Sequence, residues 1–440
     1  MKTSPLCKRL HSRLLPLLFL LISLPGLAGE RESFPANLDG SMMPYDFSAV
    51  DSLPVIPAGY EPVHISYVAR HGARFLSSRK KVEKIEKELL KGEQDGILSA
   101  DGRRMLNTIA QIEDSTAGRW GLLSSVGIGE EQKLGCQMAE MFPALLKKGR
   151  MNTVSTFVPR VVMTMYEFNH AVERRHTDLE IYTSSGHQND SLLYFFDVFT
   201  GYRNFRNEGV WKKIYDDFVA RHVSAAPARR LFTETDLSEK KLRDLTMEMY
   251  GALQGDRAAG FAPTAGEFFT EEEYRECWRA SNLKHYLRNT PNALDPSCTT
   301  ATAVLIRRII SDADSALEAN ASGENKIPFS GYFGHAETLL PLLSVMNIPG
   351  CFYPFTNYEN IDSKWKLEEI TPLGANLALI FMRDAEGVVY VSVRHNGRNV
   401  PAYPGAPDVI KWSDLKAYWL MRIDAPTRPK LKDLSSRGLK

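Results

Sequence analysis

The hydrophobic pattern changes most abruptly at residues 63–78, VHISYVARHGARFLSS. The apolar run 63–69 reads as a buried strand. It stops in Arg70-His71-Gly72-Ala73-Arg74, and the paired serines Ser77 and Ser78 signal a helix. Over 79–90, Val82, Ile85 and Leu89 share one face and Glu83 stands four before Lys87, which predicts an amphipathic helix with a solvated side. Helical spacing continues over 101–112 and 130–146. The glycine-rich stretch 118–129 between them lacks the Lys-Ser/Thr ending of a P-loop and reads as a wrapping loop. Residues 154–158 form a short β-branched strand, halted by Pro159 and followed by Arg160, which repeats the strand-then-arginine layout.

From residue 163 to about 301 strand signals nearly vanish and helical periods dominate. Aromatic clusters such as 192–199 fall here, where packing is the commoner role of such residues. The strand-and-helix pattern resumes with a helix at 302–317, a strand at 327–333, and Gly334-His335-Ala336-Glu337 opening a helix over 338–345. Residues 377–382 and 388–393 pair as a hairpin around 384–387, and Asn396-Gly397 makes a further tight turn. The expected architecture is α/β, a mostly parallel sheet with helices on both faces. Its core is split into 29–162 and 302–424 by a mainly α-helical cap, 163–301. Residues 29–60 read as an irregular arm into the first strand, and 425–440 as a polar, basic tail.

The amino terminus alters the picture of where this fold resides. Lys2, Lys8, Arg9 and Arg13 precede an apolar run, 14–24, and Gly26-Leu27-Ala28, the layout of a secretory signal peptide cut after Ala28. That run is too short to span a bilayer comfortably, and no later segment reaches spanning length without charges. A soluble exported protein is expected, periplasmic or secreted. The whole chain carries 54 Lys plus Arg against 53 Asp plus Glu, and residues 1–28 hold only basic groups, so the remainder is slightly acidic. This argues against a broad nucleic-acid or membrane surface. Any anionic substrate must be met by a local pocket. Beyond Cys7 the chain retains Cys136, Cys277, Cys298 and Cys351, whose pairing the sequence leaves open; Cys277 with Cys298 is preferred because it would close a short loop. No cysteine shows metal-ligand spacing, and His170 and His176 are not at i, i+4. The sequons at Asn189 and Asn320 are short enough to arise by chance.

In an open α/β sheet ligands bind beyond the carboxyl ends of the parallel strands. Arg70, His71 and Arg74 stand at such an end. Guanidiniums present rigid forks of donors that match a tetrahedral oxyanion, and two of them around an imidazole suit a phosphoryl group beside a nitrogen nucleophile. Alone, the same residues could be a surface turn with ordinary salt bridges. Arg160 would add a third guanidinium for a phosphoryl group that spreads charge over three equatorial oxygens. Gly334-His335-Ala336-Glu337 has the same address, where a histidine can donate to phosphate and a carboxylic acid can stand over the leaving oxygen. Its bland counterpart is a core histidine and a capping glutamate in a helix first turn. Arg79, Lys80 and Lys81 could reach a multiply charged ligand, or form only a wet face.

Together these residues resemble the histidine acid phosphatases, specifically their multiple inositol polyphosphate phosphatase (phytase) branch. The group pattern is Arg-His-Gly-x-Arg-x-Pro with a downstream His-Asp, and the branch carries His-Ala-Glu. Here stand Arg70-His71-Gly72-Ala73-Arg74-Phe75 and Gly334-His335-Ala336-Glu337-Thr338-Leu339-Leu340-Pro341-Leu342. Tyr60-Glu61-Pro62-Val63 and Val158-Pro159-Arg160 are also similar, as are 372–376 and the hairpin after it, so the likeness spans about 50–405. Leu76 departs from the pattern's proline.

The resemblance implies a histidine-phosphatase core in which His71 is the nucleophile and Glu337 the proton donor. Arg70, Arg74, Arg160 and His335 would hold the phosphate, with no metal or cofactor. Arg79, Lys80 and Lys81 would be peripheral contacts. The expected substrates are small molecules, phytate and lower inositol phosphates. The rivals are a broad acid phosphatase, a mutase with a similar start, and a non-catalytic phosphate-ester binding protein. A helix N-terminus lowers the Glu337 pKa while substrate phosphates raise it, and His335 is expected to be cationic more often in acid. Activity is therefore expected on the acidic side of neutrality.

Overall fold

The computed structural model describes residues 33–51, 53–323, 326–355 and 357–424. The expected leader and the tail 425–440 lie outside these. β1 (Glu61–Arg70) is buried from its fourth residue onward. Its alternate side chains enter different apolar clusters. Ile65, Tyr67 and Ala69 pack with Phe168, Phe329 and Phe333, whereas Val68 packs with Tyr332, Leu305 and Leu377. A strand covered on both faces has no polar side to show, which is why it reads as a continuous apolar run.

The remaining strands are β2 (Gly149–Ser155), β3 (Leu179–Ser185), β4 (Phe329–Gly334), β5 (Asn376–Arg383), β6 (Val389–His395), β7 (Arg398–Val400) and β8 (Val409–Lys411). They form one eight-stranded sheet in the order β3-β2-β4-β1-β5-β6-β7, with β8 on β6. The pairs β3/β2, β2/β4 and β4/β1 are parallel. From β1/β5 onward pairing is antiparallel. The α/β architecture is the expected one, but its parallel order holds only through the β3-to-β1 half. The expected hairpin supplies the antiparallel strands, and its Asn396-Gly397 turn takes positive φ at both residues (48° and 74°), as a tight turn before β7 requires. Arg70 stands in register with Gly334, and Ser155 with Phe333. Three neighbouring strands therefore release their chains at one level.

Several elements differ from the sequence reading. The helix expected at 130–146 is Ser125–Met141, capped by Ser124, so the last glycines of the run 118–129 are helical. Pro159 occupies the first turn of the helix Pro159–Glu173, where its missing N–H costs nothing, and so opens a helix as well as following a strand. β3 falls inside 163–301, where strand signals nearly vanish. It lies at the sheet edge with its outer residues largely exposed, so only Leu179 and Ile181 carry an apolar signal. From Asp190 to Asn289 the elements are helices. The preferred Cys277–Cys298 bridge is not formed; Cys136, Cys277, Cys298 and Cys351 are all free thiols. Among the described residues no helix is long and apolar enough to cross a membrane.

Both sequon asparagines serve the fold. Asn189 donates to the carbonyls of Ser155 (2.9 Å) and Ser184 (3.0 Å). Asn320, on the helix Ser297–Ser322, donates to Val63 O (2.7 Å) and Ile327 O (3.1 Å) and accepts from Ile327 N (2.7 Å). It thus ties that helix to β1 and to the approach of β4. Asn320→Ala removes all three bonds and leaves Ile327 O only its contact with His64 Nδ1 (2.8 Å), and urea unfolding should show a loss of about 1–3 kcal/mol, with the site beyond the opposite strand ends undisturbed.

Candidate active site

The turn after β1 is fixed before any side chain acts. Arg70 N donates to Ala375 O (2.8 Å), His71 N to Gly334 O (3.0 Å), and Gly374 N to His71 O (3.0 Å). Gly72 N donates to Thr164 Oγ1 (3.2 Å) and Ala73 N to Glu130 Oε2 (2.7 Å). The other oxygen of Glu130 accepts from Tyr45 N (2.8 Å), so one buried carboxylate joins the amino-terminal arm to the turn. Helix Ser125–Met141 lies so close that a Cβ on Gly127 would come within 2.0 Å of Ala73 O. The glycine permits that approach. Neither Glu130 nor Gly127 belongs to a motif with recognisable spacing, and the sequence reading missed both.

His71 is buried, and its Nδ1 lies 3.0 Å from Gly72 O. A carbonyl can only accept, so Nδ1 carries the proton and Nε2 keeps its lone pair. Burial, followed by Arg160, Arg70 and Arg74, pushes the imidazole well below its ordinary pKa. The ring is neutral in mild acid. The guanidiniums are lowered as well: burial first and then Arg160 and Arg70 bring Arg74 down to about 9, and burial, with a smaller push from Arg160, brings Arg70 to about 10. Arg160 is lowered mainly by burial. Their Nε atoms are buried without partners. Crowded cations with idle donors favour an oxyanion among them.

His335 meets His71 edge-on, with ring centroids 5.7 Å apart. Its Nε2 lies 3.2 Å from Thr156 Oγ1 and its Nδ1 3.4 Å from Arg160 Nη2. Burial and Arg160 lower its pKa to about 3. The expectation of a cationic His335 in mild acid is therefore not met, because desolvation outweighs the nearby carboxylate. Thr338 Oγ1 accepts from His335 N (3.1 Å) and donates to Leu193 O (2.6 Å), joining this turn to the helical stretch. Glu337 begins the helix Ala336–Met346. Burial raises its pKa, but Arg206, His335 and His285 prevail and hold it far below the carboxylate range.

Arg70, His71, Arg74, Arg160 and Glu337 line one cavity of about 910 Å³. His335 backs it through its contacts to His71 and Arg160. Of the peripheral candidates only Lys81 lines this cavity. Arg79 is turned to Glu86 (2.6 Å) and Glu113 (2.7 Å), and Lys80 is not on the wall. Lys284 and Arg288, from the helix Glu271–Asn289, line it instead. They sit one helical turn apart on one face, a spacing visible in the sequence only once that face is known to look inward. Leu76, where the pattern has proline, is buried at the rim against Gly255. Among the described residues no group of His, Cys, Asp and Glu is arranged to hold a metal ion.

The arrangement gathers guanidinium donors around a buried imidazole at the carboxyl ends of a partly parallel sheet, a chemistry suited to a tetrahedral oxyanion, and the fold itself is one seen in solved structures. The fold is similar to that of the multiple inositol polyphosphate phosphatase of Bifidobacterium longum. Its apo form aligns with a TM-score of 0.70 at 16% identity, covering 87% of this chain and 97% of that one. Its complex with phosphate gives 0.69 at 16% identity, covering 90% and 99%. The phytase from D. castellii gives 0.65 at 16% identity, covering 89% and 85%. No family model and no curated protein matches the chain.

The close helix makes a direct prediction. Gly127→Ala must displace the turn that carries His71, and inorganic phosphate binding, measured by calorimetry, should weaken by about tenfold or more, about 1.4 kcal/mol.

Proposed function

We propose that the protein is an exported histidine phosphatase that hydrolyses phosphomonoesters of phytate and lower inositol polyphosphates through a phosphohistidine. The observation that carries this reading is a neutral imidazole with Nε2 unprotonated, ringed by Arg70, Arg74 and Arg160, with Glu337 on the wall of the same cavity. The amino-terminal pattern supports export, and the helices between Asp190 and Asn289 act in this reading as a cap over the site.

In the first step the Nε2 lone pair of His71 forms an N–P bond while the P–O bond to the alcohol breaks. The electron pair goes to the leaving oxygen, which takes the proton of Glu337. The arginines hold the equatorial oxygens and stabilise the charge they gather. His335 takes up its role as a donor once the anion draws Arg160 away and raises the imidazole pKa. In the second step Glu337 accepts a proton from water as its oxygen attacks phosphorus. The N–P bond breaks, and phosphate and neutral His71 are released.

Substrate class follows from the outer cavity. Lys84 is paired with Glu248 and Lys240 with Asp244, at 2.5 and 3.0 Å, whereas Lys81, Lys284 and Arg288 line the wall and have no acidic partner at ion-pair distance among the described residues. They suit further phosphates on the same substrate. The carboxylates of Asp216, Asp217, Asp244 and Glu248 at the rim favour the second reading, a broad acid phosphatase for less charged esters.

Phosphate release from phytate and from an aryl phosphate, side by side and with chelator, separates the readings. Purified wild type should favour phytate and ignore chelator. Lys284→Met with Arg288→Met should raise the phytate KM by about tenfold or more while changing the aryl phosphate KM by less than about threefold. Equal effects on both would favour the broad reading. His71→Ala should lose at least about a thousandfold in kcat, and retained turnover would defeat the mechanism.

The pH profile has a definite sign. Because the His71 pKa is lowered, its nucleophilic form persists in acid, and kcat/KM should not fall at about pH 6.5, where an ordinary histidine titrates. Glu337 acts in its protonated form, so activity should decline as pH rises. In a pH–rate series, a fall in kcat/KM on going below about pH 6.5 would contradict the His71 assignment, and an optimum above neutrality would contradict that of Glu337.

A further inference from the structure

Arg206 touches the expected acid from outside the cavity. It lies in the helix Thr200–Glu208, is 7% exposed, and is not part of the cavity wall. Its Nε donates to Asn289 Oδ1 (3.1 Å), its Nη1 to Phe196 O (3.3 Å), and its Nη2 reaches Glu337 Oε1 (3.5 Å). The guanidinium also sits 5.0 Å from the Phe196 ring centroid and 5.8 Å from that of Tyr202. These contacts place the cation whether or not Glu337 is charged. Glu337 Oε1 is directed to it, which leaves Oε2 for the cavity.

The charges around Glu337 fall into two sets. Arg70, Arg74, Arg160 and Arg288 line the cavity, and an arriving phosphate engages them and cancels their pull on the carboxylate. Arg206 stands behind Glu337 and off that wall, held by Asn289 and Phe196, and keeps its pull. His285, linked to Asn289 at 3.4 Å, and His335 pull on the carboxylate only when protonated, and burial keeps both rings neutral in mild acid. Tyr194 and Tyr202 stand near it as un-ionised phenols. Arg206 is therefore the charge that persists beside Glu337 when the site is loaded.

Resting on the phosphatase reading, we propose that Arg206 is the positioning residue for the general acid. It fixes Glu337 and sets its acidity in the loaded site, so that Glu337 acquires its proton only with the anionic substrate and gives it up readily to the leaving oxygen. Binding and proton uptake are then one event, and the resting site keeps its acid discharged.

Two measurements test this. In kcat against pH on phytate, Arg206→Gln should move the alkaline limb up by about one unit, because the acid holds its proton to higher pH; Arg206→Lys, which keeps the charge, should leave the limb in place. A rate lowered equally at every pH, with the limb unmoved, would make Arg206 merely structural and overturn the proposal. The second measurement needs neither that variant nor turnover. Sulfate brings no proton of its own in mild acid, and its binding is followed by calorimetry in buffers of different ionisation enthalpy at about pH 5. Wild type should take up more protons than Glu337→Gln, and equal uptake would overturn the proposal. Wild-type protein that releases no phosphate from phytate or aryl phosphate would sink the phosphatase reading, while the sulfate comparison would still decide the link between anion and acid.

Discussion

Arg70, Arg74 and Arg160 are buried together around one imidazole, and most of the site's properties descend from that shared desolvation, to which repulsion between the cations adds at His71, Arg70 and Arg74. Like charges in a desolvated pocket disfavour the folded state. The chain offsets this with fixed partners: Arg70 Nη1 donates to Thr371 O (2.5 Å), Arg74 Nη1 to Phe75 O (2.9 Å), and Glu337 supplies opposite charge. Their idle Nε donors remain. Burial, with the three cations behind it, holds the His71 imidazole well below its ordinary pKa, and the idle donors around it are of the kind that suits an oxyanion.

This crowding is possible only because the backbone delivers all its parts at one level. Arg70 and Gly334 are paired in register on neighbouring parallel strands, and β2 ends beside them before Pro159 and Arg160 open the next helix. A slip of one residue would turn each outgoing side chain to the other face. The turn itself is braced by Glu130 from one side and by Gly374 and Ala375 from the other. Packing beneath it, through Tyr67, Phe168 and Phe333, leaves the loop little freedom to relax away from the charges.

What the sequence revealed and what it hid divide along physical lines. β1, β4 and the hairpin were legible because strands buried on both faces are unbroken apolar runs, and the two histidine turns because chemistry confines particular residue types to adjacent positions. β3 escaped, since an edge strand with exposed outer residues has almost no apolar signal. Glu130, Arg206, Lys284 and Arg288 escaped for another reason. Each lies on a helix where a charged residue usually faces water, and only tertiary packing turns it inward. Gly127 was visible as part of a glycine run, but its purpose depends on a neighbour more than fifty positions away, Ala73. Lys80 and Arg79 show the converse: a basic run at a promising address of which only Lys81 reaches the cavity.

The account's central claim is that a neutral His71 Nε2 takes the phosphoryl group inside the arginine cluster. Rapid quenching of wild-type protein mixed with a radiolabelled phosphomonoester, followed by peptide mapping under alkaline conditions that preserve phosphohistidine, tests it most directly. The account predicts transient label on His71 at Nε2, formed and lost fast enough to account for turnover. Turnover without label on His71, or label on another residue, would contradict it.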